Sequence, residues 1–453
     1  MCSTRIIPRS HQTSLVLAAL ALALAPKPAA AETLAAWVQL VGPGRGASIR
    51  VITNDARCPT LNADGADLAM AVRAAPNTAL YRPGPDVRLA PFPVLTCEVS
   101  APPGKSSISL DGKPLPLPGA DIRRIVVFGD TGCRIKENKK PQDCATKWPY
   151  QKIAGHAAAA RPDLVVHVGD YLYRESCNAA ACANTPVGYG WDEWRDDFFA
   201  PSAPLFAAAP WIMVRGNHEI CARAGEGWFR FLDHGRPPDA CTPRSGFFVI
   251  ALGNIGFVVM DSGQLAKERN NDKAGDGADD DDDDEDEDVA DSADGAETID
   301  AVRRDYAEIS GRVPAPAWLL THVPFNAVKR EKATDGNKIV DTVQQQALGD
   351  RLPRDIEMIV SGHVHIFEAF SFADGNPRPP QLVVGTGGVK LTKNPKEPDD
   401  INGAPVSDAF ILKEFAYIVW DREGTSWRGA LFDENGAQIA GCKLQGGRLR
   451  CRQ

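Results

Sequence analysis

Past its first thirty residues the chain has no apolar run long enough to cross a bilayer, no CxxC pair, and no patch in which arginines alternate with aromatics. Each absence excludes something. A spanning helix needs about 20 apolar residues in succession, so no membrane anchor is expected. Without CxxC pairs a structural zinc ribbon is not expected. Without a basic groove nothing points to nucleic acid as a partner. No internal repeat is visible, and nothing in the pattern sets an oligomeric state.

What is present begins at the N-terminus. Arg5 and Arg9 precede the apolar run SLVLAALALALA and the small residues Ala29-Ala30-Ala31, the three-part pattern of a secretory signal peptide over residues 1–31. There is no twin arginine, and Cys2 stands ahead of the apolar run, so a Sec-type signal is expected rather than a Tat signal or a lipoprotein anchor. The mature protein is therefore expected to be exported, either periplasmic or secreted. Removing residues 1–31 takes away Cys2 and leaves ten cysteines. An even number in an exported chain favours disulfides. Ten cysteines allow about 945 connectivities, and sequential pairing, Cys58 with Cys97, Cys133 with Cys144 and so on, is the simplest.

The formal charge of −9 is unevenly spread. Residues 279–288 are all Asp or Glu, so the rest of the mature chain is nearly neutral. The segment at about 270–298 has no periodicity and too little apolar surface to offset ordering, which predicts a disordered acidic insert. The glycine and terminal glutamate of an EF-hand loop are missing from it.

Residues 32–120 read as short apolar runs, such as ASIRVIT and PVLTCEVS, separated by Gly, Pro, Asn and Asp. This is the pattern of a small all-β sandwich domain, of fibronectin III-like type. From residue 121 to 453 strands alternate with longer helical segments, which predicts an α/β domain. Expected helices include WPYQKIAGHAAAA, GWDEWRDDFFAPSAPLF, TIDAVRRDYAEIS and VDTVQQQALGD. The tail reads as a β meander, with turns at Arg422-Glu423-Gly424 and Glu434-Asn435-Gly436.

Five of the α/β strands end alike. IRRIVVF is followed by Gly129-Asp130-Thr131-Gly132, and DLVVHV by Gly169-Asp170-Tyr171-Leu172-Tyr173. WIMVR is followed by Gly216-Asn217-His218-Glu219, APAWLLT by His322-Val323-Pro324, and IEMIVS by Gly362-His363-Val364-His365. Ligands bind at the carboxyl ends of strands in open α/β sheets, so these residues point to one site. Carboxylates, an amide, imidazoles and a phenol form a mixed oxygen and nitrogen donor set suited to Fe, Zn, Mn or Ni. Seven donors exceed the needs of one catalytic ion with open positions. They suit two metal ions bridged by a carboxylate.

In this ordered set the chain resembles the calcineurin-like metallophosphoesterases, in particular their purple acid phosphatase-like branch. The motifs GDxG, GDxxY, GNH(D/E), a lone His before proline, and GHxH all occur in order over residues 129–365. The resemblance implies a metallophosphoesterase αββα sandwich, two mixed β-sheets flanked by helices. Most members begin with DxH; here Asp130-Thr131-Gly132 lacks that histidine, and Tyr173 looks like its replacement. A phenol has an ordinary pKa near 10, and a strongly Lewis-acidic cation stabilises its anion. Fe(III) is therefore expected at the Tyr173 site, with Fe(II), Zn or Mn at the other.

Carried over residue by residue, the resemblance places Asp130, Asp170, Tyr173 and His365 on the first metal. Asp170 bridges to a second metal that adds Asn217, His322 and His363. His218 resembles the family's catalytic histidine, a general acid for the leaving alkoxide. Glu219 is a candidate for orienting a ligand or that imidazole. Tyr171 is expected to pack, His167 to be a core histidine, and His156 and His234 to lie at the surface or in loops. Arg134, Arg223 and Asn326 follow the motifs closely enough to be candidate phosphate contacts. The extra phosphate-contacting histidines of plant purple acid phosphatases have no clear counterparts.

The function implied is an exported phosphatase acting on small phosphomonoesters, by in-line attack of a metal-activated hydroxide. A phosphodiesterase or nucleotidase using the same two metals is the alternative. A non-catalytic metal or phosphate binding protein is a second, disfavoured because a mere binder need not keep His218. Cys133, Cys177, Cys182 and Cys221 flank the motifs, so bridges there are expected to fix the pocket loops.

Overall fold

The computed structural model describes residues 1–2, 32–42, 46–77, 87, 89–137, 139–177, 182, 185–265, 293–314, 316–330, 336–340, 343–348, 352 and 355–453. Most of the expected signal peptide, and the acidic insert up to residue 292, lie outside these residues. The helix following the insert starts at Ala293 and runs to Ile309, earlier than TIDAVRRDYAEIS alone predicts. Ala293 and Ala296, the strongest helix formers, extend it backward.

Two sheets carry the architecture. In the first, of eleven strands, the adjacent parallel strands Arg124–Phe128, Leu164–His167 and Trp211–Met213 lie at the centre. The second has eight strands, with Ile255–Met260, Ala317–Thr321 and Ile356–Ser361 side by side and parallel. These strands are nearly continuous Val, Ile and Leu and are almost wholly buried, as strands covered on both faces must be.

The two sheets share one core. Ile125, Val127, Val166 and Ile212 of the first belong to the same buried cluster as Phe257, Trp318, Leu320 and Met358 of the second. On the outer face of the first sheet, Val126, Phe128 and Val165 meet Ile153 of helix Tyr150–Ala159, Leu205 of helix Ala200–Ala208 and Phe229 of helix Gly225–Phe231. Outside the second sheet, Val258 and Leu319 meet Val302, Tyr306 and Ala347 of the helices Ala293–Ile309 and Val343–Leu348. Helix, sheet, sheet, helix is the expected αββα order. The tail forms the expected meander: strand Ala416–Glu423 pairs with Arg124–Phe128, and positive φ at Gly424 and Gly436 makes the two turns.

The N-terminal region is all β, as expected, but the break anticipated near residue 120 is absent. Residues Glu32–Gln453 form one compact unit. Strand Thr33–Leu40 pairs in parallel with Trp211–Met213 through Gln39 and Trp211, so four N-terminal strands continue the eleven-stranded sheet. Among the described residues of this region, Thr60–Ala63, Ala66–Ala69, Ile108–Leu110 and Lys113–Leu115 form a separate sheet. The physical reason is twofold. Strand Trp211–Met213 would otherwise present an open edge, and buried arginines lock the junction. Arg73 donates to the carbonyls of Phe229, Arg230, Asp233 and Gly235 at 2.8–3.1 Å, and Arg50 donates to that of Asp233 at 2.7 Å. These satisfy the carbonyls left open where helix Gly225–Phe231 ends. Glu98 balances both guanidinium groups, at 2.7 Å from Arg73 and 3.4 Å from Arg50.

All five disulfides follow the sequential pairing: Cys58–Cys97, Cys133–Cys144, Cys177–Cys182, Cys221–Cys241 and Cys442–Cys451. Such bridges form and persist in oxidising compartments. No helix among the described residues is long and apolar enough to cross a membrane.

Candidate metal centre

The three central parallel strands of the first sheet release Asp130, Asp170 and Asn217 at one edge. The parallel pair in the second sheet releases His322 and the segment His363–His365 toward them. Glycine precedes four of these turns for a steric reason. A Cβ on Gly216 would stand 2.0 Å from Asp170 Oδ1, and one on Gly362 would stand 2.3 Å from Asp130 Oδ2. The residues after the glycines turn sharply: Asp130, Asp170 and His363 have φ of 58°, 59° and 70°. A non-glycine residue held in this region costs on the order of 1–3 kcal/mol, so the surrounding contacts must hold it there.

The seven expected donors converge into two groups that share one oxygen. In the first, the Tyr173 hydroxyl donates to Asp170 Oδ2 at 2.7 Å and lies 3.2 Å from Asp130 Oδ1 and 3.0 Å from His365 Nε2. In the second, His322 Nε2 lies 3.2 Å from the same Asp170 Oδ2 and 2.9 Å from Asn217 Oδ1, which is 3.0 Å from His363 Nδ1. Donors around one cation at about 2.0–2.2 Å stand about 3 Å apart, so both groups have the spacing a metal requires. One ligand atom from each of Asp170, His322 and His363 lies within 4.8 Å of the other two.

Electrostatics also calls for cations here. Burial pushes the Asp130 carboxyl well above its usual range, and Asp170 adds to this. Burial and the two carboxylates push the Tyr173 phenol far upward as well. Burial opposes a charged His322, but Asp170 and Asp130 outweigh it and raise the imidazole to about 9. Two buried carboxylates, each within 3.2 Å of the same phenol oxygen, are a donor set that suits metal ions.

Buried carboxylates hold the loops in place. Glu219 Oε1 accepts the N–H groups of Tyr171 and Leu172 at 2.9 and 3.4 Å, and Oε2 those of Asp170 and Gly216 at 3.2 and 3.1 Å. It therefore orients the loop of Asp170, and not the His218 ring. Asp197 accepts the N–H groups of Tyr173 at 2.9 Å and Cys133 at 3.2 Å and pairs with Arg174. Burial pushes its carboxyl up to about 6 despite that arginine. It lies on the π-helical turn Arg195–Phe199, a local widening often found at functional sites. Asp130 accepts the N–H of His363 at 3.0 Å, and Asp170 Oδ1 that of His218 at 3.0 Å. His322 Nδ1 donates to the Val168 carbonyl at 2.8 Å, which leaves Nε2 facing the cluster.

His218 lines the cavity above the donors. Its Nε2 is 3.9 Å from Asp170 Oδ2, and its ring lies 3.8 Å from that of Tyr173 between centroids. On the other side, Nδ1 is 3.1 Å from both the Leu172 carbonyl and Glu175 Oε1. Arg223 pairs with Glu175 and lies against the same ring.

The remaining candidates separate. Arg134 lines the cavity, whereas Arg223 is buried against the His218 ring, with Nη2 2.6 Å from Nδ1 and 2.9 Å from Nε2, and is not part of the described wall. Asn326 is not in the cavity: it is buried, and its Oδ1 accepts from Gln345 at 2.9 Å. Its place four residues after His322 misled, because the chain turns away at Pro324 and Gln381 takes up the Asn326 N–H. Tyr171 is packing, stacked 4.0 Å from His167 and donating to the Val214 carbonyl at 2.8 Å. His167 is a core histidine, bonded to Thr131 Oγ1 and accepting the Gly169 N–H. His156 is exposed, and His234 is half-buried against Phe248.

Sequence reasoning missed Glu175, Asp197, Lys136 and Lys329. Glu175 stands two residues after Tyr173, a spacing that places it near the site. Asp197 sits among other acids in WDEWRDDFF, and Lys329 on a short strand, Ala327–Arg330, that no pattern announced.

Comparison with known proteins bears on the same part of the chain. The calcineurin-like phosphoesterase family model matches residues 123–367, the span that holds all five motifs. Among solved structures, the fold is similar to that of purple acid phosphatase PPD1 from seeds of yellow lupin (Lupinus luteus). The TM-score is 0.53 at 14% identity, over 92% of this chain and 73% of that one. It is also similar to PhoD, with a TM-score of 0.50 at 12% identity over 93% of this chain and 92% of that one. Identities this low speak for the fold alone. No curated protein matches this sequence.

Proposed function

The chain belongs to the calcineurin-like phosphoesterase family, and from that membership we propose that it is a binuclear metal-dependent phosphatase that hydrolyses phosphomonoesters outside the cytoplasm. The observation that carries the reading is the shared oxygen. Asp170 Oδ2 lies within 3.2 Å of both Tyr173 Oη and His322 Nε2, at the meeting point of the two donor groups. Asp130, Tyr173 and His365 would hold one ion with it, and Asn217, His322 and His363 the other.

When bound, the two ions supply Lewis acidity, lowering the pKa of a water and stabilising charge on the phosphoryl oxygens. The chain's own residues do the rest. Asp170 keeps one oxygen on the cluster while its other accepts the His218 N–H, so the cluster and the acid are placed by one side chain. The His218 ring is held at Nδ1 by the Leu172 carbonyl and the Glu175 carboxylate. Nε2 is then the nitrogen that delivers a proton to the departing alkoxide. A monoester dianion balances the cluster's positive charge more fully than a diester monoanion, which favours monoesters. At the Tyr173 site we favour Fe(III), with Fe(II), Zn or Mn opposite. A phenolate bound to Fe(III) absorbs visible light, so the band should vanish in Tyr173→Phe. The five disulfides and the N-terminal pattern support export.

The test is a side-by-side rate measurement on p-nitrophenyl phosphate and bis-p-nitrophenyl phosphate after loading with iron, zinc or manganese. Faster turnover of the monoester supports the reading. Preference for the diester would make the protein a phosphodiesterase with the same site. Silence on both, with metal bound, would make it a binding protein.

A further inference from the structure

The side chain that ties the first donor group together comes from outside the five motifs. Asp197 is wholly buried on the π-helical turn Arg195–Phe199, and both of its oxygens accept. Oδ2 takes the Tyr173 N–H at 2.9 Å, and Oδ1 takes the Cys133 N–H at 3.2 Å together with the Arg174 Nε–H. One carboxylate thus bridges the loop after Arg124–Phe128, which carries Asp130, and the loop after Leu164–His167, which carries Asp170 and Tyr173. Gly132 shows how closely these loops meet. A Cβ there would stand 2.7 Å from Tyr173 N and 2.9 Å from both Asp197 Oδ2 and the Tyr171 carbonyl oxygen. Position 132 therefore has no room for a donor side chain, and the group beside Asp130 Oδ1, at 3.2 Å, is the Tyr173 hydroxyl. The turn that presents Asp197 is itself packed on the second loop: Phe198 meets the Tyr171 ring edge to face at 4.8 Å, and Trp194 stacks on it at 6.1 Å between centroids.

We infer that Asp197 is a positioning residue for one ion of the pair. It sets the affinity of the ion that Asp130, Tyr173 and His365 would hold with Asp170, by fixing the Tyr173 phenol, and leaves the ion of Asn217, His322 and His363 largely untouched. The inference rests on the two-metal reading above and gives one of its sites a support that the other does not share. The chemistry of the contact makes the two separable. Asparagine matches aspartate in size but offers a single acceptor oxygen. With Arg174 retaining that oxygen, the amide NH2 of Asp197→Asn faces the Tyr173 N–H, donor against donor, and the loop that carries the phenol loses its buried partner.

The experiment titrates zinc, and separately iron(II), against a chromogenic chelator with no substrate present, in wild type, Asp197→Asn, Tyr173→Phe and the double variant. Asp197→Asn should weaken one ion by about 10–100-fold and the other by about threefold or less. In the Tyr173→Phe background, where the phenol is already gone, the same change should cost about threefold or less, a coupling that a merely structural role would not produce. No weakening, equal weakening of both ions, or the same factor with and without the phenol overturns the inference. If Asp197→Asn loses its cooperative thermal transition, adding Arg174→Met removes both buried charges, and the same cycle is read in that background. A wild type that binds two ions yet leaves p-nitrophenyl phosphate intact counts against the phosphatase reading and not against Asp197. A wild type that binds neither metal overturns both.

Discussion

The two sheets would supply the proposed metal centre with different chemistry. The first offers oxygen: the carboxylates of Asp130 and Asp170, the Asn217 amide and the Tyr173 phenol, all from its central parallel strands and the loops after them. The second offers nitrogen alone, from His322, His363 and His365. The oxygen half is anchored by its own region, since Glu219 and Asp197 accept the N–H groups of the loops that carry Asp170 and Tyr173. The nitrogen half leans on the other: His322 is aimed by the Val168 carbonyl, and the His363 N–H is held by the Asp130 carboxylate. The contrast shows where rigidity is needed. The loops that carry the carboxylate and phenol have dedicated buried acceptors, whereas the His322 ring is aimed by one backbone carbonyl and the loop of His363 is held by the Asp130 carboxylate.

Breaking the oxygen half should cost the most. Asp170→Asn removes the charge both donor groups share, and it should reduce turnover to background and lose at least one metal while the thermal transition remains cooperative. Normal rates in that variant would refute the shared-carboxylate arrangement. Next comes His218→Asn, which should slow turnover by about 10²–10⁴-fold at unchanged metal content. The loss should be larger for alkyl phosphates than for p-nitrophenyl phosphate, because the poorer leaving group needs the proton more. Equal losses on both would remove the general-acid role.

Glu219→Gln sharpens the comparison, because Glu219 is not in the cavity wall and the change weakens the support of the Asp170 loop and of Gly216, next to Asn217. Metal affinity or activity should drop by about 10–100-fold, and saturating metal should restore part of the rate. The smallest effect lies outside both halves, at the N-terminal junction. Burial opposes a charged Glu98, but Arg50 and Arg73 outweigh it and hold its carboxyl at about 2. A depressed carboxylate pKa stabilises the fold above its ordinary value of about 4.5 and loses that contribution as pH falls toward about 2. Wild type should therefore lose on the order of 1–2 kcal/mol through Glu98 across this window, allowing for residual solvent contact. Glu98→Gln should lack that part of the pH dependence, as read from urea midpoints at pH 6 and pH 3.

The candidate donors that the structure brings together were legible in the sequence because each follows an apolar strand, and most come directly after a glycine that close approach demands, as at Gly216 and Gly362. The disulfides were legible because every pairing joins neighbours in the order of cysteines along the chain. The supports were not. Asp197 acts across a fold-level distance from an acid-rich helical segment in which any of several carboxylates fits the pattern, and Asn326 looked like a site residue only by proximity in sequence. Nor does any local pattern foretell that Thr33–Leu40 pairs with Trp211–Met213, because that register depends on a strand far along the chain and on buried arginines at the junction.

A centre held around Asp170 by side chains from both sheets would carry two metal ions. Its most direct test is the metal content per chain of wild type and Asp170→Asn, measured by elemental mass spectrometry after loading and desalting. Two ions per wild-type chain and no more than one in the variant are expected. One ion or none in the wild type, or two retained without the Asp170 carboxylate, would contradict it.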